Sequence, residues 1–311
     1  MSTGNSRTAN RYWFCPLYFF SCYCESVDLI EGIQIRRVPA ELTKYFHKQY
    51  ASVGLLHDVS EFDWVVSLLC SEAVEGSGMD NVASGEETIR AFYLLRSLIE
   101  ACRLHKKGGI TPGPLTLFNL KSSVWSPGTT IEASYLSNIS WPWKPKYELR
   151  QSDVIEIVKL MRDIRIYIHF IPGKWNALNR ALTRFDSAYD GELEDRLIDQ
   201  MIAFESLYIG DDKELGYKLA LRTAFLLGKK KAKIFSDMKK AYALRGQIVH
   251  GNREVERSTL EETIPKTEEY LRQSIRMFLL LLSQGHSLKE IRETLLDENI
   301  LKNGRLTSFR E

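Results

Sequence analysis

Several signatures of enzyme chemistry are missing from this chain. It has no CxxC pair, no HExxH, no glycine-rich Walker loop, no GxSxG and no acidic cluster that would hold two metal ions. Zinc proteolysis, nucleotide hydrolysis on a P-loop and serine hydrolysis therefore lose their sequence support, and neither a metal nor a cofactor is expected. Neither sign of charge dominates: 42 Lys and Arg against 40 Asp and Glu leave a net charge of +2. A partner such as nucleic acid would have to be met by a local patch. Long apolar runs are absent too. The longest aliphatic stretch, Met277 to Leu282, is far too short for a bilayer, so no membrane association is expected. The five cysteines follow no disulfide framework, which fits a reducing, cytoplasmic setting. Cys22 and Cys24, with Cys15 nearby, read as buried thiols on a strand, because no histidine lies close enough in sequence to complete a metal site. Tyr12–Cys24 is aromatic, holds Pro16 and offers no small-residue cleavage site, so it reads as strand and not as a signal peptide. The sequon at Asn138 is then idle.

What is present divides near residue 150, giving an α+β chain: an N-terminal mixed α/β domain (1–150), then an all-helical domain (151–311). The first ten residues are polar and small, a loose terminus. Tyr12–Cys24 and Ile33–Val38 are rich in aromatic and β-branched residues and predict strands. Ala40–His47 is amphipathic. Ser60 and Asp63 resemble a capping box and predict a helix to about Glu75, followed by a Gly/Ser/Asn loop from Gly76 to Gly85. Ser84 and Glu87 form a second box, opening a helix to about His105. Leu115–Leu120 and Val124–Trp125 predict short strands. Ser126–Pro145 is irregular and carries Trp141 and Trp143, either as a recognition surface or as packing. Beyond it helical periodicity takes over: Ser152–Phe170, Lys174–Ala188, Glu192–Tyr208, Glu214–Leu227, Ala232–His250, Ser258–Ser283 (with Ser258 and Glu261 as capping box) and Leu288–Leu296.

The helix over Ala232–His250 is the informative one. Ile234, Phe235, Met238, Ala241, Tyr242, Ile248 and Val249 recur at spacings of three and four, and Arg245 interrupts the row 234, 238, 241, 245, 248. A guanidinium there has to be paired or line a cleft. His250 precedes Gly251, the usual residue just past a helix end, so it belongs to the last turn. Gly246 costs about 1 kcal/mol relative to Ala in a helix interior. The neighbouring helices each place one charge on their core side: Glu205 in the row 194, 198, 201, 205, 208, and Arg222 in the row 215, 219, 222, 226. Glu205 is expected to meet Arg222 and Arg245. Two readings stay open, a buried ion-pair network or a phosphate pocket whose arginines are oriented by the carboxylate. Lys229, Lys230, Lys231 and Lys233 are either a solvated helix start or outlying phosphate contacts.

Histidine beside arginine supplies what RNA cleavage needs without a metal. A 2′-OH attacks the adjacent phosphorus, a base takes its proton, an acid protonates the departing 5′-oxygen, and a fixed cation stabilises the added charge. Histidine, with a reference pKa of about 6.5, serves either proton role, whereas arginine stays charged. A second copy across a two-fold axis would supply a second histidine.

The run RGQIVHG, with an arginine, four residues and a histidine at a helix end, resembles the R-x4–6-H motif of HEPN-domain ribonucleases. LIDQMIAFESLYIGDDKELGYKLALRTAFLLG followed by AYALRGQIVHG, including E-L-x-Y-x-x-x-x-R at Glu214 to Arg222, is similar to the Apea-like HEPN branch over residues 185–285. Upstream, LLRSLIEACRLHKKGGI is more loosely similar to the segment that precedes such domains. The resemblance implies an all-α HEPN bundle that forms a homodimer with its two motifs facing. It implies metal-independent endoribonuclease activity on RNA, with tRNA one candidate substrate, in anti-phage defence or a toxin–antitoxin pair. Arg245 and His250 are then the catalytic pair, and Glu205, Arg222 and Gln247 auxiliary or substrate-binding residues. Gly246 departs from the pattern: many active members carry a polar residue there, often Asn. The N-terminal domain is expected to sense a trigger, such as a phage component. The alternative is a HEPN module that binds nucleotide or protein without catalysis.

Overall fold

The computed structural model describes residues 10–51, 62–70, 84–121, 124–131, 145–169, 177–189, 191–209, 214–228, 230–251 and 255–302. The expected loose terminus (residues 1–9), most of the Gly76–Gly85 loop, Trp141, Trp143, Asn138 and Lys229 lie outside them. The chain divides into two compact units, Met1–Met161 and Arg162–Glu311. The boundary read near residue 150 thus shifts into the helix that follows it.

The first unit opens with β1 (Asn10–Tyr18), β2 (Phe20–Cys22), β3 (Ser26–Asp28), β4 (Ile33–Arg37) and α1 (Ala40–Ala51). β5 (Trp64–Leu69), α2 (Gly85–His105), β6 (Thr111–Pro112), β7 (Leu115–Lys121), β8 (Val124–Ile131) and β9 (Tyr147–Leu149) follow. The main sheet runs β3-β4-β5-β1-β7-β8, with β6 paired to β1, and its pairings are antiparallel; β2 and β9 form a separate parallel pair.

β1 occupies the middle of the main sheet, and each residue from Trp13 to Tyr18 is buried, so both of its faces are covered. One face holds Phe14, Tyr18, Val65 and Phe118, closed over by Leu42 and Phe46 of α1 and by Phe62. The rings meet edge to face, Phe46 lying 5.6 Å from both Phe62 and Phe118. On the other face Arg11 shares its side with Trp13 and reaches Glu87 of α2 at 3.7 Å.

β5 corrects the helix expected from Ser60 to about Glu75. Trp64, Val65 and Val66 are aromatic and β-branched, and pairing between β4 and β1 buries them. Sheet burial outweighs the local capping pattern. Asp63 instead pairs with Arg37 at 3.1 Å. The capping box at Ser84 and Glu87 is present in both directions, and α2 ends at His105 as expected. The cysteines are free thiols. Burial pushes Cys70 up to about 11 and Cys102 up to about 12. Cys22, at the end of β2, and Cys24, just beyond that strand, are only half-buried, against the expectation of buried thiols on a strand.

A short 3-10 turn (Gln151–Asp153) leads into α3 (Val154–Ile164). His105 at the end of α2 sits between two carboxylates: Nε2 is 3.3 Å from Asp153 Oδ1 and Nδ1 is 3.5 Å from Glu156 Oε2. Lys106 bonds the other Asp153 oxygen, and the Arg150 N–H donates to it at 3.0 Å.

The second unit holds a π-turn (Arg165–His169), α4 (Ala177–Ser187), α5 (Leu193–Tyr208), α6 (Leu215–Leu227), α7 (Lys231–His250) and α8 (Arg257–Ser283). It ends in α9 (Leu288–Glu290), a second π-turn (Ile291–Leu295) and α10 (Leu296–Lys302). The expected helices are all present, with ends moved by a few residues. α8 starts at Arg257 without the expected Ser258–Glu261 box, because Arg257 takes the Glu261 carboxylate at 2.9 Å. α8 packs against α4, α5, α6 and α7. Inside lies a buried charge network. Arg272 meets Glu268 at 2.7 Å, Glu269, and the Tyr189 hydroxyl at 3.2 Å, while Arg196 reaches Glu268 at 3.6 Å and donates to the Ala188 carbonyl at 3.0 Å.

Two outcomes follow. Glu268→Ala leaves two buried guanidinium groups short of their shared carboxylate and is expected to cost about 3–5 kcal/mol, measured by urea unfolding. For Asp153, burial alone would raise the pKa, but hydrogen bonds from Lys106, the Arg150 N–H and His105 outweigh it and hold the carboxyl below its ordinary value. Its contribution is therefore present above about pH 4, the unfolded value, and is lost as pH falls through the folded value. Asp153→Asn is expected to remove that part of the acid dependence, read as denaturation midpoint against pH.

Candidate active site at the end of α7

α7 carries the expected stripe. Ile234, Met238, Ala241 and Leu244 are buried against the bundle. The helix ends where the sequence places its end: His250 is the last helical residue, and Gly251 caps it at φ +62, a left-handed conformation that favours glycine. His250 is exposed and Val249 is 48% exposed, whereas Arg245, Gly246 and Gln247 are half-buried.

Arg245 lies at the margin of the stripe. Its Nε is buried and has no hydrogen-bond partner among the described residues, and no carboxylate among them forms an ion pair with it. Gly246 lies beside it with open space: a Cβ built there meets nothing within 4 Å. At about 100° per residue, Arg245 and His250 project about 140° apart and flank Gly246. The glycine thus leaves bare backbone between the two motif side chains. Gln247 projects about 200° round from Arg245, about 60° beyond His250.

Glu205 and Arg245 act on the same group, the hydroxyl of Tyr242. Burial, the Glu205 charge and the hydrogen bond to its carboxylate raise the tyrosine's pKa, and the Arg245 cation opposes them. The Tyr242 ring is held from behind by α6: a Cβ on Gly216 would lie 2.6 Å from Tyr242 Cδ1, so only glycine lets the helices approach this closely. By spacing alone Tyr242 is a member of the apolar stripe. The signal that could have singled it out is its hydroxyl, which needs a partner when half-buried.

Arg222 is placed elsewhere, which corrects the expected meeting of three charges. Its guanidinium bonds both Asp297 oxygens of α10 at 3.0 Å and donates to the Tyr208 carbonyl. Arg292 donates to the Leu207 carbonyl at 2.7 Å and to that of Ser206. The two arginines therefore cap the C-terminal end of α5, where unpaired carbonyls and the helix dipole favour cations. No ion pair joins Glu205 to either arginine among the described residues. Asp297 lies 75 positions from Arg222 in a separate helix, and nothing in the local sequence announces it.

The lysine run is also divided. Lys231 is buried to 2% exposure with Nζ 4.4 Å from the Phe225 ring centroid, and burial pulls its pKa down. Lys233 is exposed but paired with Asp237 at 2.8 Å, and Lys230 is exposed as well. Among the described residues no helix is long and apolar enough to cross a membrane. Comparison of the chain with known protein families, with curated proteins and with solved structures returns no match.

Glu205→Gln removes the charge that holds the Tyr242 proton, so the Tyr242 ionisation is expected to move to lower pH, followed by NMR of ring-labelled tyrosine. Gly216→Ala is expected to displace the same ring and shift its resonances while the fold is retained.

Proposed function

We propose that this chain is a metal-independent endoribonuclease of the HEPN type, whose reacting groups are Arg245 and His250. The observation that carries the reading is the unclaimed guanidinium. Arg245 holds a fixed positive charge at the edge of an apolar core, without a carboxylate partner among the described residues, and exposed His250 follows it across the bare backbone of Gly246. A half-buried guanidinium with a buried, unpartnered Nε and no counter-ion among the described residues suits an anionic ligand.

In this reading the ribose 2′-oxygen attacks the adjacent phosphorus. One histidine takes the 2′-OH proton as the bond forms, the P–O5′ bond breaks, and a proton is delivered to the leaving 5′-oxygen. The products are a 2′,3′-cyclic phosphate and a 5′-OH. Arg245 stabilises the phosphorane charge, since its donors match phosphate oxygens and it keeps its proton. The Tyr242 hydroxyl, bonded to Glu205, lies within electrostatic reach of Arg245. A homodimer with facing helix ends supplies the second histidine, and the first unit senses the trigger. Arg222 serves as a cap for α5, bonded to Asp297 and the Tyr208 carbonyl. Gly246 also favours a second reading, a HEPN module that holds nucleotide or protein without cleaving it.

Incubation of total RNA in EDTA with wild type, Arg245→Ala, His250→Ala and the double variant separates the two. Wild type is expected to yield 2′,3′-cyclic phosphate ends, and each single variant to lose at least about a hundredfold in rate with an unchanged circular dichroism melt. Cleavage that persists in the double variant would sink the assignment. Intact RNA together with Arg245-dependent nucleotide binding would establish the second reading.

A further inference from the structure

Phe235, Lys239, Tyr242, Gly246 and Val249 are spaced 4, 3, 4 and 3 along α7 and so form one face, which runs lengthwise to the Arg245–His250 end. Its far part is aromatic and cationic. Tyr217 of α6, 52% exposed, packs edge to face on Phe235, with ring centroids 5.6 Å apart and planes at 82°. Lys239 places Nζ 5.6 Å from the Phe235 centroid and has no carboxylate partner among the described residues. The pair is held in place by the same helical hairpin that presses Gly216 against Tyr242. Tyr217 thus offers a ring to solvent from a rigid base, beside an uncompensated ammonium group.

We propose that Tyr217, Phe235 and Lys239 form a stacking platform for single-stranded RNA, which leads the strand to Arg245 and His250. This rests on the endoribonuclease reading and names its substrate class. The helical rise puts Lys239 about 9 Å and Phe235 about 15 Å from Arg245 along the axis, within the reach of a few nucleotides. The chemistry of the site asks for such a platform. In-line attack by a 2′-oxygen on its own phosphorus requires a backbone released from the stacked A-form helix. Bases freed in this way lose their neighbours, and an aromatic ring replaces the lost stacking. Lys239 adds a phosphate contact outside the reacting centre, which fixes register without reading sequence. An apolar partner protein would not call for the unpaired lysine, and a duplex would not expose a base to Tyr217.

The test uses the full chain carrying His250→Ala, to suppress turnover, with a short fluorescein-labelled oligouridylate and a duplex RNA of equal length, followed by fluorescence anisotropy. The single strand is expected to bind more tightly than the duplex. Tyr217→Leu is expected to weaken single-strand binding by roughly fivefold to a hundredfold, while Tyr217→Phe, which keeps the ring, restores it. Lys239→Gln is expected to make the dependence of affinity on salt shallower. Unchanged affinity in Tyr217→Leu, no single-strand binding by the parent, or equal binding of duplex overturns the platform. So does a Tyr217→Leu chain that keeps its RNA affinity but changes its oligomeric state in sedimentation, which would assign the face to a protein contact. Cleavage by wild type is measured in parallel. Tyr217-dependent binding without any cleavage keeps the platform and discards the nuclease, whereas cleavage with Tyr217-independent binding discards the platform alone.

Discussion

The end of α5 constrains the rest of the second unit. Its last turn stops inside the protein, and the carbonyls of Ser206, Leu207 and Tyr208 need donors there. Arg222 and Arg292 supply them, and Asp297 balances Arg222. Once this cap is made, α6 and the α9–α10 segment are fixed around α5, and Glu205, in that same last turn, is aimed at Tyr242. A carboxylate at a helix C-terminus opposes the dipole. The two capping cations offset that opposition locally.

Arg222 and Arg245 looked alike in sequence, each an arginine in an apolar row, but the structure gives them different roles. One is consumed in holding a helix end, the other is left with a buried and unpartnered Nε. Periodicity marks a misplaced charge but does not name its partner. Glu205 could be assigned to the right face from spacing alone, and its contact with the Arg245 region emerged as a shared tyrosine.

The helical half of the fold was legible because its apolar residues repeat every three or four positions over long stretches and its breaks are marked by glycine. The helix end at His250–Gly251 was legible for the same reason. The strands of the first half were legible where a β-branched or aromatic run stood alone, as in β1, β4 and β7. β5 was not, since Ser60 and Asp63 imitate a helix start and only pairing with β1 and β4 reveals that Trp64, Val65 and Val66 are central sheet residues. Lys231 was hidden by its neighbours: a run of lysines reads as solvated, yet one of them lies over the Phe225 ring. Tyr242 was missed because a hydroxyl on a ring is invisible to a hydrophobic pattern.

The bare backbone at Gly246 has a consequence for motion. Glycine weakens a helix interior by about 1 kcal/mol, and no side chain covers this one. Arg245 precedes it, half-buried at the margin of the stripe; His250 follows it, exposed in the terminal turn. Opening of that turn therefore costs less free energy than opening of the turn before it. Arg245 and His250 therefore lie on opposite sides of the weakest position in this part of α7, the cation on the side joined to the body of the helix and the imidazole in the terminal turn.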